Sequence, residues 1–160
     1  INAWAAQTGA TYGIGYEHTG YFNRKYIARK GDLNTGDANL TNPNNYRAIR
    51  FADVLLMAAE AVNRGSISDT RALGYLNRVR RRAFGDMLHD VAFTGTNLTN
   101  AIYHERRVEL VGEGHRFFDL VRTGQGTKIP GFTANKNEVF PVPLIEIQLA
   151  GNRWEQNPNY

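Results

Sequence analysis

The sequence predicts a mainly α-helical chain: a tetratricopeptide-like helix pair, further short helices and long loops. Three observations predict it. Apolar residues recur at three-to-four spacing over 46–64 and again over 69–83. Only a short connection rich in Ser and Gly separates those two stretches. The first 45 residues, in contrast, are rich in Gly, Asn, Thr and Tyr and show little periodicity.

Gly9, Gly13, Gly15, Gly20, Gly31 and Gly36 punctuate residues 1–45, which read as long loops with short extended pieces around Tyr21 to Ala28. So long a structureless stretch is unusual inside a complete domain. It suggests a chain that packs against a further N-terminal part. Trp4, Tyr12, Tyr16, Tyr21 and Phe22 crowd this stretch. Flat aromatic faces on loops are what sugar rings stack on; packing against another protein surface is the alternative reading.

Residues 46–64 carry Ile49, Ala52, Leu55, Leu56, Ala59 and Val62 on one stripe. Phe51, Val54, Ala58 and Ala61 widen it, which predicts a mostly buried helix with more apolar surface than one neighbour covers. Arg50 with Asp53, and Glu60 with Arg64, have the spacing of same-face ion pairs. Gly65 ends the helix, and Ser68 or Asp69 caps the next. Ala72, Leu73, Leu76, Val79 and Ala83 form that helix's apolar face, antiparallel to the first. The pair occupies about 35 residues, near the tetratricopeptide period, but no second copy follows. Thr94 to Asn97 reads as a loop. A third helix starts at Asn97 or Thr99, with Ile102, Val108 and Leu110 among its apolar positions, and Gly112 and Gly114 interrupt it. A short amphipathic helix follows from His115 to Arg122, stopped by Gly124 and Gly126. The prolines make Phe140-Pro141-Val142-Pro143 extended. Leu144 to Leu149 is the last short helix.

With 160 residues and 42% hydrophobic content, one core is within reach. No run of about 18 apolar residues occurs, and Ile1 is not followed by the regions of a secretory signal. The absence of cysteine excludes disulfides and thiolate chemistry. Net charge is +4, yet the dense basic cluster at Arg78, Arg80, Arg81 and Arg82 lies on a helix with core-facing residues between, and elsewhere Arg alternates with Glu. That is a salt-bridged face rather than a nucleic-acid surface.

Glu105, Glu109 and Glu113 lie at i, i+4, i+8 on one helical face. Paired carboxylates suggest the acid–base chemistry of a glycosidase. Unpaired like charges at that spacing destabilise a helix, however, and Arg106, Arg107, Arg116 and Arg122 stand near, with Asp119 between the last two. A carboxylate beside a guanidinium is held ionised and makes a poor general acid. The expectation is a structural ion-pair network of Glu105, Arg106, Glu109, Glu113, Arg116, Asp119 and Arg122, with no catalytic residue. His104-Glu105 begins like a zincin motif, but position 108 is Val, so no metal site is expected. Gly13-Ile14-Gly15 and Gly124-Gln125-Gly126 lack the third glycine of a dinucleotide loop, and no P-loop occurs. No cofactor is implied.

Several segments together resemble the SusD/RagB family. Arg50-Phe51-Ala52-Asp53-Val54-Leu55-Leu56-Met57-Ala58-Ala59-Glu60-Ala61 is similar to its R-Y-A-D-V-L-L-x-x-A-E-A, with Phe51 in place of the common Tyr. Leu76-Asn77-Arg78-Val79-Arg80 with Arg82-Ala83 resembles I-N-x-V-R-x-R-A. The stretch from His104 to Arg122 resembles E-R-R-x-E-L-x-x-E-G-x-R-x-x-D-L-x-R. Val139-Phe140-Pro141-Val142-Pro143 with Glu146-Ile147, and the terminal Gln156-Asn157-Pro158-Asn159-Tyr160, resemble L-P-I-P-x-x-E-I and Q-N-P-x-Y. Upstream, Thr19-Gly20-Tyr21 and Lys25-Tyr26 also fit. The shared order from about residue 19 to the end makes the match specific.

The resemblance implies part of a SusD-like α-α superhelix and a binding protein, not an enzyme. It implies residues 1–45 as a ligand-facing or interdomain segment and 46–160 as the C-terminal helical region. It further implies a lipid anchor, outside this chain, on the outer face of the outer membrane. A SusC-like TonB-dependent transporter is the implied partner and oligosaccharide the ligand. A peptide-binding RagB-like relative, or a helical scaffold for the transporter, is the alternative. Trp4, Tyr12 and Tyr16 are the candidate ligand contacts, on their chemistry rather than on any motif.

Overall fold

The computed structural model describes residues 45–160, with Lys25, Tyr26, Gly36, Asp37 and Thr41 before them. The chain divides into two compact units, Ile1–Ala48 and Ile49–Tyr160. In the first, Tyr26 stacks on Tyr46 with ring centroids 6.3 Å apart. The second is described below. Among the described residues the secondary structure is helical throughout, with no strand. None of the described helices is long and apolar enough to cross a membrane.

Helix α1 spans Phe51–Arg64 and α2 spans Asp69–Phe84. The Ser68 side chain accepts the Arg71 backbone N–H, so Ser68 is the cap of α2. Gly85 ends α2 at φ 82°, a left-handed position that costs glycine little. The Asn63 amide donates to Asp69 across the connection, and the Arg78 guanidinium lies 5.0 Å from the Phe51 ring centroid. The end of α1 thus meets the start of α2, and the start of α1 meets the end of α2. The two helices are antiparallel, as expected.

Helix α3, Gly95–Glu109, lies antiparallel to α1, its start near Asn63 and its end near Arg50. Leu55, Leu56, Ala59 and Val62 from α1 join Ala72, Leu76 and Val79 from α2 and Leu98 and Ile102 from α3 in one buried cluster. Ala59 and Ala72, both fully buried, are small enough for the backbones to approach closely. Helix α4, Arg116–Arg122, is short and buries Leu120; a 3₁₀ turn follows at Gly126–Lys128. The Phe132 ring fills the space where a Cβ on Gly126 would sit, 2.5 Å away. Helix α5 is Leu144–Leu149.

The structure corrects four expectations. Helix α1 starts at Phe51, not 46; Arg50 is extended at φ −120°, ψ 157°, and Tyr46 and Ile49 are exposed. The α1 surface is buried on one face only: Phe51, Val54 and Met57 remain open. Helix α3 begins two residues before Asn97, because the Asp69 carboxylate accepts the Gly95 N–H at 2.6 Å and fixes that end. Val108 and Ala83, assigned to apolar faces, are exposed.

Candidate functional site

Two features of the Ile49–Tyr160 unit concentrate its charged chemistry. The first is a network of three groups of ion pairs that tie α1, α2, α3, α4 and the residues flanking them together. Arg50 grips Glu113 with both branches of its fork, Nε to Oε2 at 2.7 Å and a terminal nitrogen to Oε1 at 2.9 Å. It also donates to the Glu109 carboxylate at 2.9 Å and to the Glu109 backbone carbonyl at 3.0 Å. The second bond satisfies one of the carbonyls left open where α3 ends, with a cation at the negative end of the helix dipole. Arg82 reaches Glu109 as well, and Arg80 donates to Glu105 at 2.6 Å. Arg106, itself buried, donates to Asp53 at 2.7 Å and to both Asp119 oxygens at about 3 Å. Arg122 extends the Arg106 group by donating to Glu60 at 2.7 and 2.8 Å and to Asp119.

The direction of the pKa shifts follows from this geometry. For Arg50 the Glu113 hydrogen bond is the largest influence, and it raises the guanidinium against the effect of burial. Glu60 is buried, which alone would raise its pKa; hydrogen bonds from Arg122 and then Arg64 outweigh that and hold the carboxyl below its ordinary value. Burial, followed by the Glu60 charge, raises the Tyr103 phenol.

Glu105 and Glu109 share a face of α3, but the helix ends at Glu109 and Glu113 lies in the turn beyond it, a correction to the single helical face expected. The guanidiniums found against the three are Arg80 and Arg82 of α2 and Arg50, just before α1. Sequence reasoning drew their cations from Arg106, Arg107, Arg116 and Arg122, the nearest in the chain. Likewise Arg50 and Asp53 were matched with each other at i, i+3, yet both turn to α3 and its end. Glu60–Arg64 forms at 3.0 Å as expected. Local spacing cannot show that α1 and α2 point their charges at α3; the motifs themselves show only that they carry charged residues of opposite sign.

The second feature is a polar cleft of about 180 Å³ beside the network. Asn100, Tyr103, His104 and Arg107 of α3 form one wall; Arg116 and Asp119 of α4, then Thr123, Gln125 and Lys128, form the other. Arg107 and Arg116 also line an adjoining, mostly apolar cavity of about 380 Å³ with Leu110, Val111 and Phe117. Arg116, expected in the ion-pair network, is exposed in this cleft instead. Among the described residues no group of His, Asp and Glu has the arrangement of a metal site. Trp4, Tyr12 and Tyr16 lie outside the described residues.

A family model for the SusD family matches residues 2–139. The chain belongs to the SusD family. Its curated relatives in Formosa agariphila include SusD-like protein P2, 33% identical over 156 residues, which cover 86% of this chain and 31% of that protein. SusD-like protein P25 is 34% identical over 142 residues, covering 79% of this chain and 27% of the relative. The chain therefore spans about a third of the length of these curated relatives. The crystal structure of a SusD homologue from Bacteroides thetaiotaomicron superposes with a TM-score of 0.64 at 33% identity, over 73% of this chain and 26% of that one. The segments from Arg50 onward by which the sequence resembles the SusD family meet in space. The charged residues of the first three join in the network. The last two also clasp each other: Gln156 exchanges hydrogen bonds with the Val142 N–H and C=O at 2.7 and 2.8 Å, and Asn157 donates to the Phe140 carbonyl.

Proposed function

We propose that this chain is part of a nutrient-binding protein that captures oligosaccharide on the outer face of the outer membrane and delivers it to a SusC-like TonB-dependent transporter. A lipid anchor holds such a protein to the membrane. The observation that carries this reading is the SusD family match across residues 2–139. In the same reading the helical region from residue 46 is the scaffold, and the segment 1–45 faces ligand with Trp4, Tyr12 and Tyr16 as stacking residues. The role is capture without catalysis. In support, Glu109 and Glu113 both accept from Arg50, and Glu105 accepts from Arg80, which leaves each carboxylate committed to a guanidinium.

A glycan array followed by calorimetric titration of the gene product carrying this chain tests the proposal. The expected result is saturable oligosaccharide binding that Trp4→Ala, Tyr12→Ala or Tyr16→Ala weakens. Binding of peptides and of no glycan would replace it with the RagB-like alternative. Hydrolysis of a bound glycan that Glu109→Gln abolishes would make the protein an enzyme.

A further inference from the structure

We infer that the cleft between α3, α4 and the 3₁₀ turn is an anion-recognition subsite, built for a saccharide that carries a carboxylate or sulfate group. The saccharide part rests on the nutrient-capture reading; the anion part does not. Two arginines at the cleft are matched: Arg106, which also lines it, and Arg122, which holds Asp119, each donate to carboxylates. Arg107 and Arg116 are different. Both are exposed, both line the cleft, and neither has a carboxylate partner among the described residues. Lys128 stands on the other wall with its ammonium bonded, among the described residues, only to the neutral Gln125 side chain, at 2.6 Å. Asp119 is the carboxylate in the lining, and it is already offset by Arg106 and Arg122. The cleft therefore carries excess positive charge, with planar forks suited to the paired oxygens of a carboxylate or sulfate.

The neutral residues fit the rest of such a ligand. Asn100 and Gln125 supply amide groups of the kind that bind hydroxyls. Beyond the two arginines the adjoining cavity turns apolar, with the partly exposed Phe117 ring, so a sugar ring can extend there while its charged group stays between the guanidiniums. A volume of about 180 Å³ holds the anionic group and part of one ring rather than a whole oligosaccharide. The cleft is thus a subsite that reads charge.

Nuclear magnetic resonance on the isotope-labelled gene product carrying this chain tests this with four probes, inorganic sulfate, glucuronate, glucose 6-sulfate and glucose, at constant ionic strength balanced with chloride. The expected result is that glucuronate or glucose 6-sulfate shifts the Arg107 and Arg116 Nε–H signals, while glucose and chloride do not. The stronger of the two charged sugars identifies carboxylate or sulfate as the source. Arg107→Gln and Arg116→Gln should each weaken that response about tenfold, the size expected when a charged hydrogen bond is lost. Neither side chain makes an ion pair, so both variants keep their helicity by circular dichroism; Lys128→Gln checks the opposite wall in the same way. No response to any anion beyond chloride overturns the inference. A response to inorganic sulfate alone overturns its saccharide part. If the gene product binds a charged glycan equally well with both arginines replaced, the subsite is wrong while nutrient capture stands. If no glycan binds it, nutrient capture falls, and the sulfate titration still decides whether the cleft takes an anion.

Discussion

Asp53 and Arg106 are both about 95% buried, and each satisfies the other at 2.7 Å. Burying two such charges is costly, and their attraction offsets that cost only while both are present. Arg106 holds Asp119 as well, but Arg122 also reaches Asp119, so Asp53 is the group that depends on Arg106. Arg106→Gln should therefore lower stability by about 3–5 kcal/mol, the usual cost of breaking a buried pair. Adding Asp53→Asn should recover part of that loss, because the orphaned charge is removed with it. Urea denaturation of the two single variants and the double variant measures both. An Arg106→Gln effect within about 0.5 kcal/mol, a surface-like value, would show that the pair is not the structural link described here.

At the scale of elements, α1, α2 and α5 were legible because their periodicity and their stops are local. The Ser68 cap, the Gly65 end and the prolines before Leu144 all act within a turn of where they occur. Two boundaries were not legible, since each is fixed by a residue far along the chain. The start of α3 depends on the Asp69 carboxylate, and the extended Arg50 before α1 grips residues some 60 positions later. The site shows the same division. The pairing of Glu105 with Glu109 on one face was visible as spacing. The end of α3 at Glu109, which takes Glu113 off that face, and Arg80, Arg82 and Arg50 as the partners were not. The cleft with Arg107, Arg116 and Lys128 arises only when α4 and the 3₁₀ turn pack beside α3. The C-terminal clasp is another long-range pairing, and it yields a test. Gln156 satisfies both backbone groups of Val142, which the flanking prolines keep extended. Gln156→Ala should expose residues 139–144 to faster amide exchange while leaving α1 and α2 protected. Unchanged exchange across 139–144 would mean that Asn157 and Tyr160 hold that segment without Gln156.

For the molecule as a whole, three carboxyls held by hydrogen bonds, one of them in the network, set the response to acid. Glu60, Asp69 and Asp90 all have folded pKa values below their ordinary ones. For Glu60 burial opposes the shift but Arg122 and Arg64 prevail; for Asp69 the Gly95 N–H is the chief cause, and for Asp90 it is Arg81. When a carboxyl is more acidic in the folded state, the unfolded chain takes up protons first as pH falls. Its stabilising contribution is therefore complete above the ordinary carboxylate range, about pH 4, and is lost as pH drops through that range toward the folded value. The urea midpoint should be level around neutrality and fall steeply below about pH 4. Glu60→Gln should flatten that fall. A midpoint unchanged between neutral and strongly acidic solution would remove these carboxylates from the account.

The hydrogen bonds from Arg50 to Glu109 and Glu113 join residues 59 and 63 positions apart. Translation proceeds from the N-terminus, so Arg50 leaves the ribosome long before either partner exists. At about 5–20 residues per second the delay is roughly 3–12 s. In about the second half of that interval, once Val79 has been made, α1 and α2 can already fold against each other, since all of their shared core is then present. Asp53 waits for Arg106 in the same way, and Glu60 for Arg122. A newborn chain therefore passes through a stage in which the helix pair is complete and its charged edge is still open to water, sealed only when the segment from 105 to 122 arrives.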